Sequence, residues 1–125
     1  MPHTKIIYYL EEDGTVPIVA WLGSLQPKAR AKCQAYFARL QSEGHDLRRP
    51  VADFLRDGIH ELRPSFRGVQ YHVLYFFHGQ RAVVISHGLV KGQIVPVGEI
   101  EKAVKRMKRF EADPGRFTFM PGQGE

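Results

Sequence analysis

The chain has 125 residues, the length of one domain, and 43% of them are hydrophobic, enough to enclose a single core. A lone cysteine, Cys33, excludes an internal disulfide and any paired-cysteine metal knuckle, and no apolar run approaches the ~20 residues that span a bilayer. Lys and Arg outnumber Asp and Glu by 18 to 13, and at a net charge of +5 a polyanion such as nucleic acid is the first partner to consider.

In chain order, Lys5 to Leu10 is β-rich and is stopped by the turn signal EEDG. Thr15 and Pro17 announce a short helix from Val16 to Leu25, burying Val19, Trp21 or Leu22, and Leu25. A second helix is predicted from Pro27 to Glu43, with Ala29, Cys33, Tyr36, Phe37 and Leu40 on one face and Gly44 as its left-handed stop. Gly44 to Gly58 reads as a loop with at most one short extended piece. Three strands follow, Ile59 to Phe66, Val69 to His78 and Arg81 to Leu89, the last two joined by a tight turn at Gly79 and Gln80. The middle strand hardly alternates, so it needs cover on both faces. A last helix from about Pro96 to Ala112 supplies it through Val97, Ile100, Val104, Met107 and Phe110, with Lys102, Lys105, Arg106 and Arg109 on the solvated side. The predicted fold is α+β, with about four strands in a mostly antiparallel sheet and the order β-α-α-β-β-β-α. Residues 1–113 form one domain, and residues 114–125 are set apart as a loosely packed tail. The amino-terminal stretch lacks a signal-type pattern, so a cytoplasmic location is expected.

Candidate chemistry gathers in one third of the sequence. Side chains alternate across a strand, so Leu62 is assigned to the core and Arg63 to the opposite face together with Glu61. Val73, Tyr75 and Phe77 are likewise core, leaving His72 on Arg63's side. His87 lies late in the third strand, Lys91 follows it, and Arg67 sits in the preceding turn. Together these residues make a cationic bowl. Such a bowl suits a phosphodiester: when a ribose 2′-hydroxyl attacks phosphorus, fixed cations stabilise the charge that builds on the non-bridging oxygens, and imidazoles move the protons. The plainer alternatives are that Arg63 pairs with Glu61, that His60 is structural, and that His72 and His87 are hydrogen-bonded residues at the core rim. Neither a metal nor a cofactor is expected, because the histidines lack ligand spacing and no phosphate-cradling glycine loop occurs.

The pattern ELRPSF, YHVLYFF, VISHGLVK and EIEKAVKR, spread over Tyr8 to Ala112, resembles the RelE/HigB superfamily of bacterial toxins, in its phage-derived HigB-like branch. The resemblance implies a RelE-like fold and a type II toxin: a metal-independent endoribonuclease that cuts mRNA, usually on the ribosome, and is silenced by an antitoxin, often a helix-turn-helix protein. It places Arg63 on the ELR arginine and Lys91 on the basic residue after the last strand. His72 stands where relatives commonly carry arginine, and Gly92 where a second lysine is frequent. Two alternatives remain open. One is a ParE-like toxin that binds DNA gyrase without nuclease activity, and the other is a degenerate phage-derived domain that only binds nucleic acid or antitoxin.

Overall fold

The computed structural model describes residues 4–90 and 92–122. The elements are β1 (Lys5–Tyr9), α1 (Pro17–Gly23), α2 (Pro27–Glu43), β2 (Ala52–Arg56), β3 (Ile59–Leu62), β4 (Ser65–Phe66), β5 (Val69–Gln70), β6 (His72–His78), β7 (Ala82–Leu89), α3 (Val97–Ala112) and β8 (Thr118–Phe119). Six strands form one sheet in the order β2-β3-β6-β7-β1-β8, and β4 and β5 make a separate small hairpin. All neighbours in the large sheet are antiparallel except β1 and β7. None of the helices among the described residues is long and apolar enough to cross a membrane.

The α+β class and the three helices agree with the sequence, whereas the expected four strands become six in the main sheet. One addition is β2, the short extended piece within the segment otherwise read as a loop, which lies outside the four expected strands and whose Ala52 is buried opposite Leu62. The other is β8, which pairs Phe119 and Thr118 with Tyr8 and Tyr9. The adjoining Phe117 is buried and stacks on Tyr9 with ring centroids 5.6 Å apart, so this part of the expected loose tail is packed into the core. The predicted Ile59–Phe66 and Val69–His78 strands are each broken, at Arg63–Pro64 and at Tyr71. Proline has no N–H to give to a ladder, so the chain leaves the main sheet there and turns through the small hairpin.

The sheet is buried on both sides. On one face α1 and α2 contribute Ile18, Leu22, Cys33, Phe37 and Leu40 against Leu62, Val73, Tyr75, Val83 and Ile85. On the other, α3 contributes Ile100, Ala103 and Phe110 against Ile7, Tyr9, Leu74, Phe76 and Val84. Burying a large side chain of this kind stabilises by roughly 1.5–3 kcal/mol, which is why β6 carries hydrophobic residues on both of its faces. Helix α2 runs as its pattern predicts, from Pro27 in the first turn to Gly44 at φ +52°, whose N–H reaches the Leu40 carbonyl. Burial pushes the Cys33 thiol up to about 11, so it serves as a small core residue rather than a nucleophile.

In α1 the buried residues are Ile18 and Leu22, while Val19 is exposed. The helix approaches β7 closely because residue 88 is glycine: a β-carbon there would penetrate the Trp21 indole. Gly88→Ala is therefore expected to destabilise the protein by about 1–3 kcal/mol through overpacking. Urea denaturation would register this as a lower midpoint with an unchanged slope.

Candidate functional site

Directly opposed residues of antiparallel strands share a face, and the register aligns Glu61, Leu74 and His87 across β3, β6 and β7. Leu74 belongs to the α3-side core, so Glu61, His72 and His87 all point into that side. Arg63, just beyond β3, joins them through its ion pair with Glu61.

Glu61 is the hub of a first network. Its Oε2 accepts from Arg63 Nη1 at 3.0 Å, and its Oε1 accepts from His72 Nδ1 at 2.6 Å. The other ring nitrogen of His72, Nε2, donates to the Gly92 carbonyl at 3.0 Å. Both imidazole nitrogens thus face acceptors, which requires both to carry protons and makes His72 a cation. The hydrogen bond to Glu61, assisted by that to Gly92, holds its pKa above the ordinary histidine value despite the cost of burial. His72 is fully buried, whereas the Arg63 side chain keeps 18% of its surface in solvent.

His87 anchors a second network. Its Nε2–H donates to Glu99 Oε1 at 2.9 Å, while Nδ1 lies 3.1 Å from Arg106 Nη1 and 2.8 Å from Ser86 Oγ. An arginine only donates, so Nδ1 accepts and His87 is neutral. Burial, reinforced by the Arg106 charge, pushes its pKa down to about 4. Arg106 is itself fixed by Glu11, whose Oε2 accepts from Nη2 at 2.8 Å.

The five residues expected to form one bowl are therefore divided. Arg63 and His72 are joined through Glu61, and His87 lies on the same face but across the buried Leu74 side chain. Arg67, at φ +52° in the β4–β5 turn, is exposed, with its guanidinium 5.1 Å from the Phe66 ring centroid. It lines a cleft of about 340 Å³ with Ser24, Leu25 and Val69, on the α1–α2 side, so it does not swing over the surface of Arg63. Lys91 lies outside the described residues. Among the described residues no three His, Cys, Asp or Glu side chains are placed to share a metal ion.

Residues 20–108 match the family described as phage-derived protein Gp49-like (DUF891), from α1 almost to the end of α3 and well over half of the chain. The chain belongs to this Gp49-like family. It is a toxin-like family related to the RelE/HigB type II toxins, and membership implies a cognate antitoxin as partner. No curated protein matches the chain.

In this Gp49-like protein Glu61, Glu99 and Arg106 organise the histidines, and sequence reasoning undervalued all three. Arg106 was placed on the solvated side of α3, yet its side chain is only 11% exposed. The signal was its spacing: it follows the buried Ala103 by three positions and Glu99 by seven, so the three share a helix flank. Ala103, too small to stand out in a hydrophobic stripe, lets α3 approach the sheet along that flank, while Val97 is 61% exposed.

Proposed function

We propose that this protein is the toxin of a type II toxin–antitoxin pair, of the HigB-like branch, with a RelE-like fold, and that it cleaves mRNA without a metal ion, on the ribosome and in the cytoplasm. The observation that carries this reading is the bridge from Glu61 through His72 to the Gly92 carbonyl. It ties the strand end that bears Arg63 to Gly92, which Lys91 immediately precedes in the sequence.

In this reading Arg63 and Lys91 meet the non-bridging phosphate oxygens, where charge grows as the 2′-hydroxyl attacks, and Arg67 holds a more distant part of the RNA. His72, protonated where relatives carry arginine, supplies fixed positive charge and positions Arg63 through Glu61. Proton transfer falls to His87. It is neutral at physiological pH, the state a base requires, and it acts once substrate draws Arg106 away from Nδ1. A helix-turn-helix antitoxin would silence the protein by covering the cationic surface or by blocking entry to the ribosome.

A second reading has its own support. His72 is wholly buried and His87 nearly so, and a toxin that acts by binding, as ParE does on DNA gyrase, needs no accessible imidazole. Induction of the protein without its antitoxin separates the two. The nuclease should yield transcripts cut within codons and arrested translation, while a gyrase poison should yield DNA breaks and filamentous cells. Arg63→Gln keeps a donor near Glu61 but removes the charge, and it is expected to slow cleavage by roughly tenfold or more. Unchanged cleavage by a folded Arg63→Gln protein would place the chemistry elsewhere.

A further inference from the structure

A different surface, at the β2 edge of the sheet, has the composition of a nucleotide-binding groove. It encloses about 410 Å³ and is lined by His45, Arg48, Arg49, Asp53, Phe54 and His60 among others. That volume falls within the roughly 300–1,000 Å³ range of clefts that hold small ligands or single nucleotides.

Its walls are aromatic and layered. Phe54 and His60 face each other across β2 and β3, with rings edge to face at 5.1 Å, and His60 stacks on Tyr75 at 5.2 Å. His45, in the turn after α2, lies flat on Phe77 with centroids 3.7 Å apart. Phe54 is 57% exposed, although a phenylalanine in a strand ordinarily turns inward. Burial, with His45 nearby, holds the His60 pKa below its ordinary value, so His60 presents a neutral ring to the groove. Its nitrogens make no hydrogen bond within the described residues, unlike those of His72 and His87.

The rim is cationic. Arg48 has no hydrogen-bond or ion-pair partner for its guanidinium among the described residues. Asp53 is the carboxylate lining the groove, and it is occupied: Oδ2 accepts from Arg49 Nη2 at 2.8 Å and from Nε at 3.1 Å, and Oδ1 accepts from the Phe54 amide at 3.0 Å. Negative charge in the groove is thus compensated, while Arg48 is available to a phosphate.

We propose that this groove binds an unpaired nucleotide of single-stranded RNA, with a base stacked on the exposed Phe54 ring beside His45 and His60, and the adjoining phosphate held by Arg48. Aromatic side chains interleaved with cations are how proteins hold single strands, because every base offers a π-face and every linkage a charge. The choice of RNA over DNA rests on the proposed nuclease reading, but the groove is separate from the Arg63 and His72 side chains. It therefore acts as a positioning surface that delivers or retains the strand.

The test is fluorescence anisotropy of the full chain with a labelled twelve-nucleotide 2′-O-methyl RNA of mixed sequence, which resists cleavage. Phe54→Ala is expected to weaken binding roughly tenfold and Phe54→Tyr to restore it. Arg48→Ala should weaken binding and flatten the log–log salt dependence by about 0.7. Lys28→Ala, at the far end of α2 and roughly 25 Å away by helix rise, should leave affinity unchanged, which separates the groove from general charge. The losses caused by Phe54→Ala and Arg48→Ala should persist in an Arg63→Gln background that fails to cleave, so loss of cleavage and loss of this binding are distinguishable. The proposal is overturned if the folded Phe54→Ala and Arg48→Ala proteins bind RNA within twofold of the parent. It is equally overturned if those variants lose antitoxin affinity and keep RNA affinity, which would mark the groove as a protein surface.

Discussion

Glu61→Ala is expected to lower the unfolding free energy by about 3–5 kcal/mol, the cost of leaving buried charges without their partner. The carboxylate holds both Arg63 and His72 at hydrogen-bond distance, and neither cation is well placed to recover water: His72 is fully buried and Arg63 mostly so. Glu61→Gln should cost less, because the amide oxygen still accepts one of the two bonds. A Glu61→Leu, His72→Leu double variant should regain the part of the loss that belongs to the buried His72 charge, while Arg63 still lacks its partner. Urea midpoints of the three variants check the pattern. A loss under about 1 kcal/mol for Glu61→Ala would mean that solvent already reaches the network.

The second large effect is a stability profile with opposite contributions from two histidines. His87 ordinarily titrates near 6.5, and its folded value is pushed down to about 4. As pH falls from 6.5 to 4 the unfolded chain takes up a proton that the folded chain refuses, so stability drops by about 1.4 kcal/mol per pH unit, or about 3 kcal/mol over the window. His72 is shifted the other way. Its contribution is fully present below about 6.5 and disappears as pH rises through the raised folded value. Together they place the histidine-dependent optimum near pH 6.5. Melting temperatures from pH 4 to 8 should show the acid limb shallower in His87→Gln and the alkaline limb shallower in His72→Gln. An acid limb of unchanged steepness in His87→Gln would show that His87 protonates freely in the folded state.

Much of the architecture was legible because strong local signals agreed with the packing. Pro27, Gly44 and the Ala29, Cys33, Phe37, Leu40 spacing mark α2 from end to end, and the unbroken apolar run of β6 announces cover on both faces. The weaker strands were hidden for physical reasons. β2 leaves Phe54 exposed, so it lacks the inward alternation that identifies a strand, and β8 is two residues long and depends wholly on β1 for pairing. At the site, alternation along β3 correctly joined Glu61 with Arg63, and cross-strand register brought His72 to them. What sequence could not supply was the depth of burial. The same alternation reads identically whether a face meets water or a helix, and α3 covers the inner part of the surface on which an open bowl was expected.

The position of β1 has a consequence for how the molecule is made. Its partners are residues 82–85 on one side and 118–119 on the other. Pairings so distant along the chain demand large loop closures before they repay them, which slows folding. β1 must therefore wait for β7 and β8, which are synthesised well after it, and the sheet is completed only once all three strands are made. During that interval the edges of β1 are bare, and a chaperone or an early-binding partner has its best opportunity to capture the newborn polypeptide.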